Sequence, residues 1–192
     1  MNRPKYINYS QSILITGLAR NCENSIYKDV LKINKALFNF SSINWLVIES
    51  DSNDGTLNEL KTLSNKMKNF RFITLGELQG DIPARTVRIA YCRNRYIKEL
   101  DENPAYSSID YVVVVDLDGV NDKLTKDSFE SCWCRDDWAA CSANQDGPYY
   151  DIFALRHSLW SPNDCFEQQS FFENKKVSKY TALKSSIYTR MI

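Results

Sequence analysis

The chain has 192 residues, 43% of them hydrophobic and 12% aromatic, enough to bury one good core with little left for a second. Its 24 Lys and Arg balance 24 Asp and Glu, which argues against a broad nucleic-acid surface or a polybasic membrane patch as its main business. No run approaches the roughly 20 apolar residues of a membrane span, and "MNRPKYINYSQSILITG" has no signal-peptide core, so a cytoplasmic setting is expected.

The first apolar run, "SILIT" (12–16), predicts a strand, and Ile26, Val30, Ile33, Leu37 and Phe40 behind it are spaced as one face of a helix. "INWLVIES" (43–50) predicts a second buried strand. The turn residues Asn53, Asp54 and Gly55 follow, and Thr56 and Glu59 then stand in capping-box register for a second helix. "FRFITL" (70–75) repeats the strand signal, "GELQGDIP" predicts a loop, and residues 86–100 predict a helix turning Ile89, Ala90, Ile97 and Leu100 inward. The fourth strand lies in "IDYVVVVDLDGVND" (109–122), whose unbroken apolar run implies burial on both faces. Beyond it, "LTKDSFESCW" predicts a short helix, "WAACSAN" and "YDIFALR" strands, and "SPNDCFEQQSFFENKK" loop and irregular helix. Strands alternating with helices imply right-handed crossovers and a mainly parallel sheet in one α/β domain over residues 1–192.

Six cysteines without a dense pairing pattern favour reduced, buried thiols. Cys132, Cys134, Cys141 and Cys165 match no common zinc spacing, and His157 is the only histidine.

In an open parallel sheet, ligands collect at the carboxyl ends of the strands. Arg20 and Asn21 follow the first strand there, Glu49 and Asp51 the second, and Asp116 and Asp118 the fourth. Two carboxylates at i and i+2, partly buried, need a shared proton or a cation, whereas two that merely solvate a strand end need neither. Oxygen ligands suit Mg2+ or Mn2+, ions that complete their shell with substrate phosphates, so a diphosphate-bearing substrate is expected. Arg85, Arg88 and Arg95 lie near one helix face, either as positive charge beside a nucleotide or as an ordinary solvated basic face.

Four segments in this order, "GLARN", "ESDSNDGT", "RTVRIAYCRN" and "VVVVDLDGV", resemble the GT-A glycosyltransferases over about residues 13–160. The likeness is to the family-2 type, especially the capsule-associated mannosyltransferase-like group. It implies a Rossmann-like nucleotide-diphospho-sugar transferase fold, with residues 13–120 as the nucleotide-binding half and 121–192 as the start of an acceptor half. Asp116 and Asp118 match the DxD pair that holds Mn2+ or Mg2+ and, through it, the diphosphate of a UDP- or GDP-sugar. Glu49 matches the acidic residue that contacts the nucleotide, with Ser52, Asp54, Gly55 and Thr56 as the turn behind it. Arg93 and Asn94 resemble the "RN" pair before the DxD strand, read equally as ligand contacts or as helix-to-loop hydrogen bonds shaping the pocket. Arg20, Asp51 and Arg88 complete the expected donor site, and the acceptor is expected to be a glycan or another hydroxyl compound.

Members of that group look longer than "YTRMI" allows, so the acceptor half is expected to be incomplete. No catalytic base is assigned, and Asp151, Asp164 and Glu167 are the residues left to supply one. "VVVVDLDGV" also resembles the opening motif of haloacid-dehalogenase-type phosphatases, where Asp116 would be the nucleophile and Asp118 the general acid and base. That motif normally sits on the first strand, whereas three strand-helix units precede it here, which favours the transferase. A non-catalytic nucleotide-sugar-binding module is the third alternative. Trp133, Trp138, Tyr149, Tyr150, Phe153 and Trp160 are candidates for stacking on a sugar, against the commoner use of aromatics in packing.

Overall fold

The computed structural model describes residues 5–143. The strand expected in "YDIFALR" (150–156), the tail aromatics from Tyr149 onward, His157, Cys165 and the candidate bases Asp151, Asp164 and Glu167 lie outside the described residues. The chain divides into two compact units, Met1–Trp138 and Ala139–Ile192. The fold that follows is that of the first.

Its strands are β1 (Ser12–Ala19), β2 (Ser42–Glu49), β3 (Phe70–Thr74) and β4 (Tyr111–Asp116). Its helices are α1 (Ile26–Leu37), α2 (Thr56–Lys66), α3 (Arg85–Glu102) and the short α4 (Lys126–Glu130), which runs into a 3-10 turn at Ser131–Cys134. All four strands are parallel, in the order β3-β2-β1-β4. The chain therefore steps outward through β2 and β3, then returns through α3 to add β4 on the other side of β1. That reversal makes the β1–β4 boundary a topological switch point, where an open α/β sheet leaves a crevice.

Parallel strands covered on both faces carry apolar residues at odd and even positions alike. On one face Ile13, Ile15, Trp45 and Val47 pack with Ile26, Val30, Ile33 and Leu37 of α1 and with Leu60 and Leu63 of α2. On the other, Leu14, Leu46 and Ile48 pack with Cys92 and Tyr96 of α3. Trp133 is buried in the first cluster, its ring 5.5 Å from Phe40 and 5.3 Å from Tyr111. Trp138 stacks on Tyr111. Trp133 thus serves the core.

The structure corrects four expectations. β4 is not buried on both faces: Val112 and Val114 are 45% and 59% exposed, because α3 packs over β1 and β2 and leaves the α3-side face of this strand uncovered among the described residues. α3 presents Arg88, Cys92 and Tyr96 inward, an i, i+4, i+8 row, while Ala90 and Ile97 are exposed and Ile89 and Leu100 half-buried. The capping box at Thr56 and Glu59 does not form. Asp54 Oδ1 instead accepts from the Thr56 amide at 3.0 Å, so an Asx turn opens α2. Residues 138–143 form no strand. No helix among the described residues is long and apolar enough to cross a membrane.

Candidate functional site

The site grows from two sharp exits at the carboxyl edge. Asn21 and Asp51 adopt left-handed φ values of 49° and 56°, a conformation these two residue types tolerate better than most. The loops they open are cross-linked by hydrogen bonds between side chains and main chain. Asn21 N–H donates to Ser52 Oγ at 3.2 Å, Asn53 N–H to Asn21 Oδ1 at 2.9 Å, and Cys22 N–H to the buried Thr56 hydroxyl at 2.8 Å. Glu23 N–H reaches Asp54 Oδ2 at 3.2 Å, and Gly55 N–H returns to Glu23 Oε2. Ser52, Asp54, Gly55 and Thr56, matched by resemblance to a nucleotide turn, do this structural work in the chain.

Between the ends of β1, β2 and β3 lies a polar cavity of about 410 Å³, bounded by Arg20, Glu49, Asp51, Asn53, Thr74 and Gln79 among others. Glu49 is buried, its Oε1 accepting from Ser52 N–H at 3.1 Å and its Oε2 from the Thr74 hydroxyl at 2.5 Å. Asp51 Oδ1 accepts from the Leu78 and Gln79 amides, both at 2.8 Å. Its Oδ2 is buried without a hydrogen-bond partner among the described residues and faces Arg88 Nε at 3.8 Å. Burial pushes the Asp51 carboxyl up, but the Gln79 and Leu78 amides, with Ser50 and the Arg88 charge, outweigh it and hold the group below its ordinary value. Arg88 Nη1 also donates to the Ile82 and Pro83 carbonyls at 2.7 Å each. Asp51 and Arg88 together therefore pin the loop 75–84 that floors the cavity.

At the rim, the exposed Arg20 donates from Nε to the Asp51 carbonyl at 3.3 Å and from Nη2 to Gln79 Oε1 at 3.1 Å. Neither acceptor is a carboxylate, so its positive charge stays available to an anion.

Asp116 and Asp118 close β4 on the far side of β1. Both are exposed, neither side chain has a hydrogen-bond or ion-pair partner among the described residues, and Leu117 between them is buried. The pair expected to be partly buried is thus exposed on both members. Among the described residues no three His, Cys, Asp or Glu side chains come together to hold a metal. Two carboxylates alone still fit Mg2+ or Mn2+, ions held through one or two protein carboxylates with water and phosphate oxygens completing the shell. Burial pushes the Cys22 thiol up against the opposing hydrogen bonds of Thr56 and the Arg20 backbone, with the Asp54 and Asp118 charges adding to the rise.

Thus Arg20, Glu49 and Asp51 share one cavity and Arg88 braces it from below. Asp116 and Asp118 stand outside its lining. Arg93 and Asn94 are exposed on α3, have no partner among the described residues and do not line the cavity. The arginine row of α3 divides its tasks, for Arg85 is exposed, Arg88 is buried against Asp51 and Arg95 pairs with Glu99 at 2.8 Å. Sequence reasoning missed Thr74 and Gln79. Thr74 is the register partner of Glu49 on β3, a relation that only strand pairing reveals.

No family model, characterised protein or solved structure matches the chain. The functional reading rests on the carboxyl edge and on the motif resemblance of the sequence.

Proposed function

We propose that this edge binds a nucleoside diphosphate sugar and that the chain is a metal-dependent glycosyltransferase acting on a glycan or another hydroxyl acceptor. One observation carries the reading: β1 separates the polar cavity beside β2 from the unpartnered aspartates of β4, all at the same end of a parallel sheet. Neighbouring strands lie about 4.8 Å apart, so the ends of β2 and β4 are roughly 10 Å apart, within the reach of a nucleoside diphosphate. The base and ribose would occupy the cavity, and Arg20 would donate hydrogen bonds to the phosphates. Asp116 and Asp118 would hold Mn2+ or Mg2+. When bound, such an ion supplies positive charge to the departing diphosphate. Glu49 and Asp51 keep the cavity's shape, since their oxygens already serve Ser52, Thr74, Leu78 and Gln79.

The test is release of UDP or GDP from a panel of nucleotide sugars with Mn2+, by wild type and Asp118→Asn. The expected result is metal-dependent release by wild type, lowered about a hundredfold or more in the variant, the scale set by removing one group that stabilises developing charge. Nucleotide binding with no release would favour a binding module. Orthophosphate release from simple phosphoesters, with nucleotide sugars untouched, would favour the phosphatase.

A further inference from the structure

We propose that Asp29 is a positioning residue for the Asp116 and Asp118 pair, acting with Ser25 and Lys32 through the backbone of the loop after β4; the proposal rests on the metal-binding reading above. Ser25, Asp29 and Lys32 are spaced by four and three residues, which puts them on one face of α1 and its N-cap. Each holds a different residue of the segment 117–122. Ser25 Oγ donates to the Leu117 carbonyl at 2.9 Å, Asp29 Oδ2 accepts from Gly119 N–H at 2.8 Å, and Lys32 Nζ donates to the Asp122 carbonyl. Asn121 closes the loop on itself, donating from Nδ2 to the Asp116 carbonyl at 2.7 Å.

Asp29 is only 3% exposed, although it lies among the apolar positions Ile26, Val30 and Ile33 that pack α1 on the sheet. A buried carboxylate costs free energy unless it is bonded. Two features offset that cost here: the first turn of a helix favours negative charge, and Gly119 supplies an amide. Gly119 has φ +94°, a conformation other residues rarely adopt, so the chain turns at once after Asp118 and delivers that N–H to Asp29.

Asp118 consequently stands between two anchored neighbours. Leu117 is buried and its carbonyl is tied to Ser25, while Gly119 is tied to Asp29. The backbone on both sides is held, and the carboxylate itself has no protein partner among the described residues. Groups that orient a metal ligand in this way typically contribute ten- to hundredfold in metal affinity.

The experiment is Mn2+ affinity measured by the electron paramagnetic resonance of free Mn2+, with UDP or GDP present, alongside thermal unfolding. The variants are Asp118→Asn, Asp29→Leu, Asp29→Asn and Ser25→Ala. Asp29→Leu should weaken Mn2+ binding about tenfold or more, and Asp29→Asn, which keeps an oxygen for the Gly119 amide, should recover most of it. Ser25→Ala should weaken it severalfold, and carries the test if Asp29→Leu does not fold. Wild-type affinity in Asp29→Leu and Ser25→Ala, with binding lost in Asp118→Asn, would overturn this proposal and leave the metal reading standing. So would an affinity loss no larger than that of Ile33→Val at equal loss of melting temperature. Wild-type affinity in Asp118→Asn would instead remove the metal reading, and this proposal with it.

Discussion

Replacing Gly17 by alanine should force β1 and β4 apart. Gly17 is the register partner of Val115, and a Cβ built on it would stand 2.5 Å from the Val115 carbonyl oxygen, 3.4 Å from Val115 Cγ2 and 3.5 Å from Leu117 Cδ1. Close carbon–oxygen approaches between strands run to about 3.3 Å, so the gap must open by roughly 0.8 Å. The oxygen belongs to the main chain, and no rotamer change can move it aside. Overpacking of this kind costs about 1–3 kcal/mol. At about 2–4 °C per kcal/mol for a chain of this size, the melting temperature should fall by roughly 2–12 °C. The displacement also reaches the site, because Val115 directly precedes Asp116. Far-UV circular dichroism on heating, paired with a Mn2+ and nucleotide titration, should therefore show lower stability and weaker metal-dependent binding together. An unchanged melting temperature would refute the close approach of these strands.

Thr56→Val keeps the shape of a buried side chain but leaves the Cys22 amide without its acceptor, so urea unfolding should show a loss of about 1–3 kcal/mol. A loss below about 0.5 kcal/mol would mean that the loop clamp does not depend on this bond. Arg88→Met leaves Asp51 Oδ2 buried without its cation and frees the Ile82 and Pro83 carbonyls. It should cost about 3–5 kcal/mol and speed hydrogen exchange at the Leu78 and Gln79 amides; exchange at the wild-type rate would contradict the brace. Because Asp51 is held below its ordinary value, its ionised form stabilises the fold above about pH 4, and that contribution is lost as pH falls through the lower folded value. Asp51→Asn should be less stable than wild type at pH 7, with the gap narrowing below about pH 4; a pH-independent gap would refute the assignment.

The α/β alternation was legible because each parallel strand is an apolar run and each crossover helix changes the period. Double-sided burial of "YVVVV" was not, since an apolar run is compatible with an edge position and only the placement of α3 decides what covers it. The buried face of α3 was misread at Arg88. A guanidinium is buried there because Asp51 and two carbonyls receive it, and those partners come from other segments. Arg20, Glu49 and Asp51 were found together because parallel strands converge their carboxyl ends on one edge, whatever the residues do there. The work of Ser52, Asp54 and Thr56 was hidden for the opposite reason: it depends on which loop lies alongside. Asp29 and Gly119 are 90 residues apart, and no local pattern links them.

The most direct measurement is a calorimetric titration of UDP and GDP into wild type and Asp118→Asn, each with and without Mn2+. If cavity and aspartates form one site, Mn2+ tightens binding of one nucleotide to wild type, while the variant binds that nucleotide equally with or without the metal. If neither nucleotide binds wild type, or Mn2+ tightens binding equally in both proteins, the cavity and the Asp118 edge are not one nucleotide site.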